Sequence, residues 1–263
     1  MLFPVESVLR LAASSSESTT EKRETDVSFR SYYDEKWVPR GDYFQIHRKR
    51  FLQSWDLLES LDLQSHGTVL DVGGAGPLSL YLQESTEWIP KMSHTDLRHQ
   101  LEFESESFDL IICTETIEHI KDVDSNEISD LELFNYSGVT IMLEEFRRVM
   151  KPDGLLFLTT PNANSYITLS KWLSGELLLM DPNHVREFSV RDLLRVTSHV
   201  GLETELIKTC DSWDQHFGEA IAELRALLEN VPSINAVERD DNIFAVFRKT
   251  EEPDTAPTYV PTS

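Results

Sequence analysis

The stretch "CTETIEHI", residues 113 to 120, follows the apolar run "FDLII" and holds Glu115, Glu118 and His119 at i, i+3 and i+4. That spacing sets the three side chains on one face if a helical turn begins there. Carboxylates and an imidazole are each costly to desolvate, so a chain that leaves a buried strand into such a set has a use for it. The types suit proton transfer, since an imidazole titrates near ~6.5. A second block, "DPNHVREFS", places His184 in a loop before a helix and adds a further imidazole.

These groups need a frame. Residues 69 to 76, "VLDVGGAG", read as a strand entering a glycine-rich turn, and "PLSLYLQES" as a helix with proline near its first turn. Gly73, Gly74 and Gly76 let the backbone bend tightly and approach a ligand, while Asp71 stands where it orients the loop or accepts from a ligand amine. A helix amino end at that point favours a carboxylate or phosphate. A plain strand-to-helix turn uses the same glycines.

Further along, "SFDLIICTE" and "LLFLTTPN" read as strands, with the amphipathic helix "IMLEEFRRVM" and the stop "KPDG" between them. After residue 185 come the helix "SVRDLLRVTSHVG", the strand "LETELIKTC", the helix "FGEAIAELRALLENV" and the strand "NIFAVFRK". Upstream, "YFQIHRKRFLQSWDLLESL" has a mostly helical apolar pattern. Alternating strands and helices predict an α/β fold, a parallel sheet covered on both faces.

The ordered blocks "VLDVGGAG", "HTDLR", "FDLIICTETIEHI" and "LEEFRRVMKPDGLLFLTTPN" resemble the class I S-adenosylmethionine-dependent methyltransferases, especially the small-molecule O-methyltransferase-like branch, over roughly residues 45 to 250. The resemblance implies a Rossmann-like, mostly parallel sheet of seven strands with an antiparallel last strand, a place that "NIFAVFRK" fills. It implies S-adenosylmethionine as cofactor, with Asp71, Gly73, Gly74, Gly76 and Thr114 around it. Asp96, 20 residues beyond Gly76, takes either the acidic position that accepts from the ribose hydroxyls, the preferred reading, or the one that faces the adenine. The family's loop commonly has one more residue, and its usual stretch between the ribose-facing and adenine-facing acids is missing here. A solvated turn aspartate is the plain alternative for Asp96.

On the acceptor side the resemblance leaves two uses open. His119 serves as general base with His184 orienting the acceptor, or Glu115, Glu118, His119 and His184 hold Mg²⁺, Mn²⁺ or Zn²⁺, as a similar set does in ubiquinone-biosynthesis and small-RNA 3′-terminal 2′-O-methyltransferases. The segments "KDVDSNEISDLELFNYSGVT" and "NSYITLSKWLSGELLLMDPNH" read as an acceptor lid, with Phe134, Tyr136, Tyr166 and Trp172 as flat surfaces or as core. The stretch "YYDEKWVPRGDYFQIHRKRF" is expected to close over the cofactor, and its basic residues to lie on a solvated helix face.

The 24 basic and 46 acidic residues, net −22, set a field that repels phosphate backbones and anionic lipid. A small-molecule or sugar acceptor is favoured over nucleic acid, with an RNA 3′ end and a catalytically silent binding subunit as the rivals. No run approaches the ~18 to 20 apolar residues of a membrane span. Cys113 and Cys210 match no metal or redox spacing, which points to a reducing cytoplasm. Residues 1–27 and 251–263 read as disordered, and 28–250 as one methyltransferase domain.

Overall fold

A computed structural model describes residues 27–123, 136–177, 179–213, 219–231 and 237–250. Most of the leading polar segment, the carboxyl tail and Phe134 lie outside the described residues. Among those described, three helices come first: α1 (Phe29–Lys36), α2 (Asp42–Ile46) and α3 (Arg48–Ser60). β1 (His66–Asp71), α4 (Pro77–Ser85), β2 (Glu87–Met92) and β3 (Phe108–Thr114) follow, then a 3-10 turn (Ile117–His119). The rest is α5 (Ser137–Val149), β4 (Met150–Pro161), α6 (Tyr166–Ser174), α7 (Val190–His199), β5 (Leu202–Cys210), α8 (Glu219–Glu229) and β6 (Asn242–Lys249).

The described strands form one six-stranded sheet in the order β2-β1-β3-β4-β6-β5. Only β6 runs antiparallel, inserted between β4 and β5, as expected for "NIFAVFRK". Alternation along the strands builds two cores. Val69, Leu110, Ile112, Phe157, Phe244 and Val246 face the cluster of α1, α3 and α4, which includes Tyr33, Leu58 and Leu78. Leu70, Ile111, Cys113, Leu156, Leu158 and Phe247 face the other way, onto Val139, Met142, Leu143, Phe146 and Val149 of α5 and Leu193 and Val196 of α7. Because both faces are covered, the strands read as nearly continuous apolar runs.

Two sequence expectations are corrected. The sheet has six described strands rather than seven, because residues 93–107 form turns pinned by polar contacts instead of a strand. Arg148 of α5 donates to the carbonyls of Leu101 (3.2 Å) and Phe103 (2.9 Å), and Glu145 accepts from the Leu101 N–H (2.8 Å). The helix expected over 43–61 is broken at His47. Sequence reading also passed over β2, "EWIPKM", whose Pro90 argues against a central strand; it lies at the sheet edge, where proline is tolerated.

Gly138, in the first turn of α5, packs on the chain that leaves the 3-10 turn. A Cβ there would stand 2.0 Å from the Lys121 carbonyl oxygen, a backbone atom that cannot rotate away. Gly138→Ala should therefore destabilise the protein by about 1–3 kcal/mol despite alanine's better helix propensity, lowering Tm by roughly 2–12 °C for a domain of this size. An unchanged or raised Tm in calorimetry would refute this.

Candidate active site

The carboxyl ends of β1 and β3 open into a cleft of about 400 Å³. Its floor is the turn after β1. Gly73 (φ 91°) and Gly74 (φ 119°) take conformations that L side chains rarely adopt, which explains why glycine stands at both. Asp71, buried at the end of β1, accepts from the Gly76 N–H (2.8 Å) and from the Ser79 hydroxyl, tying the loop to the start of α4. Burial pushes its carboxyl up to about 6, against the opposing bonds from Ser79 and Gly76.

Thr114, Glu115 and Thr116 supply a second wall, and Trp37, Tyr43, Phe44 and Phe51 an aromatic third. In the sequence Phe44 and Phe51 stand out only as members of a helical apolar pattern, and Trp37 and Tyr43 carry no mark of a cleft. The basic face expected there is corrected at Arg50, whose side chain is 3% exposed and lies 3.1 Å from Glu115. Arg48 meets the sequence expectation better, paired at the surface with Asp34. Burial, with Arg50 beside it, lowers His47 to about 4, so that imidazole is neutral at physiological pH.

Asp71, Gly73, Gly74, Gly76 and Thr114 all line the cleft, and Asp96 does not. Asp96 accepts from the Arg98 backbone N–H (3.0 Å) and guanidinium (2.7 Å), the i to i+2 bond of a solvated aspartate turn. Arg98 holds its carboxyl well below the usual carboxylate range. The side chain in register with Asp71 at the end of β2 is Met92, whose sulfur accepts from the Ala75 N–H.

Beyond Thr114 the chain turns through Glu115 in a left-handed conformation (φ 48°), rare for a residue with a side chain. Its N–H donates to the Thr159 carbonyl (2.9 Å), and its carboxylate accepts from Thr159 Oγ1 (2.8 Å) and Asn242 Nδ2 (3.0 Å) besides pairing with Arg50. Glu115 is thus fully engaged. The 3-10 turn then presents Glu118 inward and His119 outward, and the Glu118 carbonyl accepts from the Val185 N–H (2.8 Å), drawing the His184 loop alongside.

One ligand atom each from Glu118, His119 and His184 lies within 4.8 Å of the others. Glu118 is fully buried; Oε2 accepts from Thr160 (3.1 Å) while Oε1 has no partner. Burial, reinforced by Glu115, raises its carboxyl well above the ordinary value. His119 Nδ1 lies 3.2 Å from the Asn183 carbonyl oxygen and His184 Nδ1 2.8 Å from Glu187, so each ring keeps Nε2 for another partner. Of the four ligands the resemblance implied, three converge and Glu115 is held apart by its own partners. Glu187 was missed, though its position three residues after His184 was a signal for it.

Of the aromatic surfaces expected in a lid, Tyr166 is buried, Tyr136 packs against Phe188 with Arg186 over its ring, and Trp172 is 62% exposed on α6. Among the described residues no helix is long and apolar enough to cross a membrane.

A glycine loop and a polar cluster at the carboxyl ends of a mostly parallel sheet define an α/β protein with a ligand cleft at the strand ends, the general placement in open sheets of this kind. The family described as a methyltransferase domain matches residues 44–207, and the chain belongs to it. It is a class I S-adenosylmethionine-dependent methyltransferase. Similar solved structures include a SAM-dependent methyltransferase from Archaeoglobus fulgidus (17% identity, 80% of this chain and 100% of that one, TM-score 0.49). Another, from Thermotoga maritima and described as a possible histamine N-methyltransferase, has 13% identity over 85% of this chain and 100% of that one, TM-score 0.47. A methyltransferase solved with the Haloferax volcanii Trm112 activator has 15% identity over 86% and 99%, TM-score 0.46. No curated protein sequence matches the chain.

Proposed function

We propose that the protein, through a domain spanning residues 28–250, transfers the methyl group of S-adenosylmethionine to a hydroxyl oxygen of a small-molecule or glycosidic acceptor in a reducing, cytoplasmic compartment. The observation that carries this reading is the convergence of Glu118, His119 and His184, on the turn that continues the chain from the Thr114–Thr116 wall of the cleft and the loop joined to it. In the transfer the sulfonium S–CH₃ bond breaks and an O–CH₃ bond forms, leaving a neutral thioether. The hydroxyl proton must leave, and in this reading His119 Nε2 takes it, a role supported by its Nδ1 lying 3.2 Å from the Asn183 carbonyl oxygen. The remainder of the work is alignment of oxygen with methyl.

The cluster also fits a divalent ion. Glu118 Oε1 is a buried acceptor without a partner, and both imidazoles have Nδ1 tied off by an oxygen, the arrangement that fixes the tautomer of a ligating histidine. Glu118, His119 and His184 would hold it, and it would supply Lewis-acid chemistry that lowers the pKa of an acceptor hydroxyl. The net charge of −22 disfavours an RNA acceptor.

Calorimetric titration of chelator-treated protein with S-adenosylhomocysteine should give micromolar binding without added metal. Mn²⁺ or Zn²⁺ should then give a separate one-site heat that Glu118→Ala abolishes. Cofactor binding without a metal heat removes the ion and leaves His119 as sole base. No cofactor binding at all sinks this assignment of the cleft.

A further inference from the structure

Arg50 joins two parts of the site that nothing in the sequence connects. One guanidinium nitrogen, Nη1, lies 3.1 Å from Glu115 Oε2, and Nη2 donates to the Tyr43 hydroxyl at 3.0 Å. Tyr43 belongs to α2 and to the aromatic wall of the cofactor cleft; its residue is 52% exposed and its ring rests 4.4 Å from the His47 ring. Glu115 also lines the cleft and starts the turn that carries Glu118 and His119, with the left-handed backbone noted above. Arg50 itself does not line the cleft.

An ion this deeply buried is a poor device for stability alone, because an apolar side chain of similar volume packs as well without desolvation. Arginine does supply something an apolar residue lacks: a permanently charged, rigid fork whose nitrogens engage two partners at once. Here the two partners both line the cleft, one on α2 and the other at the end of β3. A ligand that seats against Tyr43 therefore presses on one end of a strut whose other end holds the strained residue from which the acceptor-side turn departs.

We infer that Arg50 is a positioning residue for methyl transfer, coupling the seating of the cofactor against Tyr43 to the geometry of the Glu118–His119 turn. The inference rests on the assignment of the cleft to S-adenosylmethionine and needs no metal.

The test is hydrogen exchange over residues 115–120 with and without saturating S-adenosylhomocysteine, no metal added, in the wild type, Arg50→Lys and Tyr43→Phe. Lysine keeps the charge and loses the fork. Phenylalanine removes one hydroxyl from an exposed ring, so that variant folds even where Arg50→Lys does not. In the wild type the ligand should slow exchange of the turn roughly fivefold or more, the lower end of usual coupling between sites. Both variants should bind the ligand within about tenfold of wild type, a smaller change than loss of the cleft itself would bring, and should lose most of that slowing. A purely structural Arg50 would leave the ligand-dependent difference intact in Tyr43→Phe, and that result overturns the inference. Wild-type binding with no change over 115–120 overturns it too, while leaving the cofactor assignment standing. Failure of the wild type to bind removes both.

Discussion

His119→Ala should lower methyl transfer by about 10²- to 10⁴-fold, the range for loss of a positioned acid–base group, while S-adenosylhomocysteine binds nearly as before. His119 is exposed at the end of the 3-10 turn and does not line the cleft proposed for the cofactor, so its loss should leave cofactor binding in place. Single-turnover rates with a responsive acceptor, set beside calorimetric affinities, separate the two effects. A metal titration of the same variant identifies its cause. If the metal heat disappears with the rate, His119 acts as a ligand; if the heat survives, the lost group is the base. Collapse of cofactor affinity with an unchanged melting temperature would show that the division between cofactor and acceptor sides is drawn in the wrong place.

Asp71→Ala should have the opposite signature. It leaves the Gly76 N–H and the Ser79 hydroxyl without their buried acceptor, a loss of about 1–3 kcal/mol for each group left unsatisfied, and it frees the loop whose two left-handed glycines form the cleft floor. Cofactor affinity should fall by roughly 10- to 100-fold, equivalent to about 1.4–2.8 kcal/mol. The raised carboxyl adds a pH dependence with a definite sign. Its accepting, ionised form predominates above about 6, so affinity should be level above that pH and weaken as pH falls through it. For the empty protein the linkage runs the other way: the folded state holds this proton more tightly than the unfolded chain, so the Asp71 contribution to stability declines as pH rises from about 4 to about 6. Calorimetry of wild type and Asp71→Ala between pH 4 and 8 tests both. A wild-type affinity flat over that range would remove Asp71 as an acceptor from the ligand.

The alternating sheet, the glycine turn and the Glu118, His119 and His184 cluster were legible because each is written locally. Apolar runs mark the strands, the glycines mark the turn, and a polar set at a strand end marks a site. What the sequence hid depends on partners remote along the chain. Glu115 and Glu118 look alike in "TETIEH", and only Arg50, Thr159 and Asn242 decide that the first is consumed by structure while the second keeps a vacant oxygen. Arg50 looks like its neighbours in "HRKRF", yet it turns inward where Arg48 turns to Asp34. Asp96 sat at a suggestive distance from the glycines, but distance along the chain cannot show that Arg98, two residues on, already occupies its carboxylate.

The short loop at 93–107 that replaces a seventh strand leaves β2 on the outside of the described sheet. An unpaired strand is a template on which another chain can add itself. Here the template is poor: Pro90 offers no N–H, Glu87 and Lys91 bring charge, and the strand is only six residues long. Among the described residues the outer ladder is thus one already unsuited to extension, and the net charge of −22 adds repulsion between any two copies that approach along it.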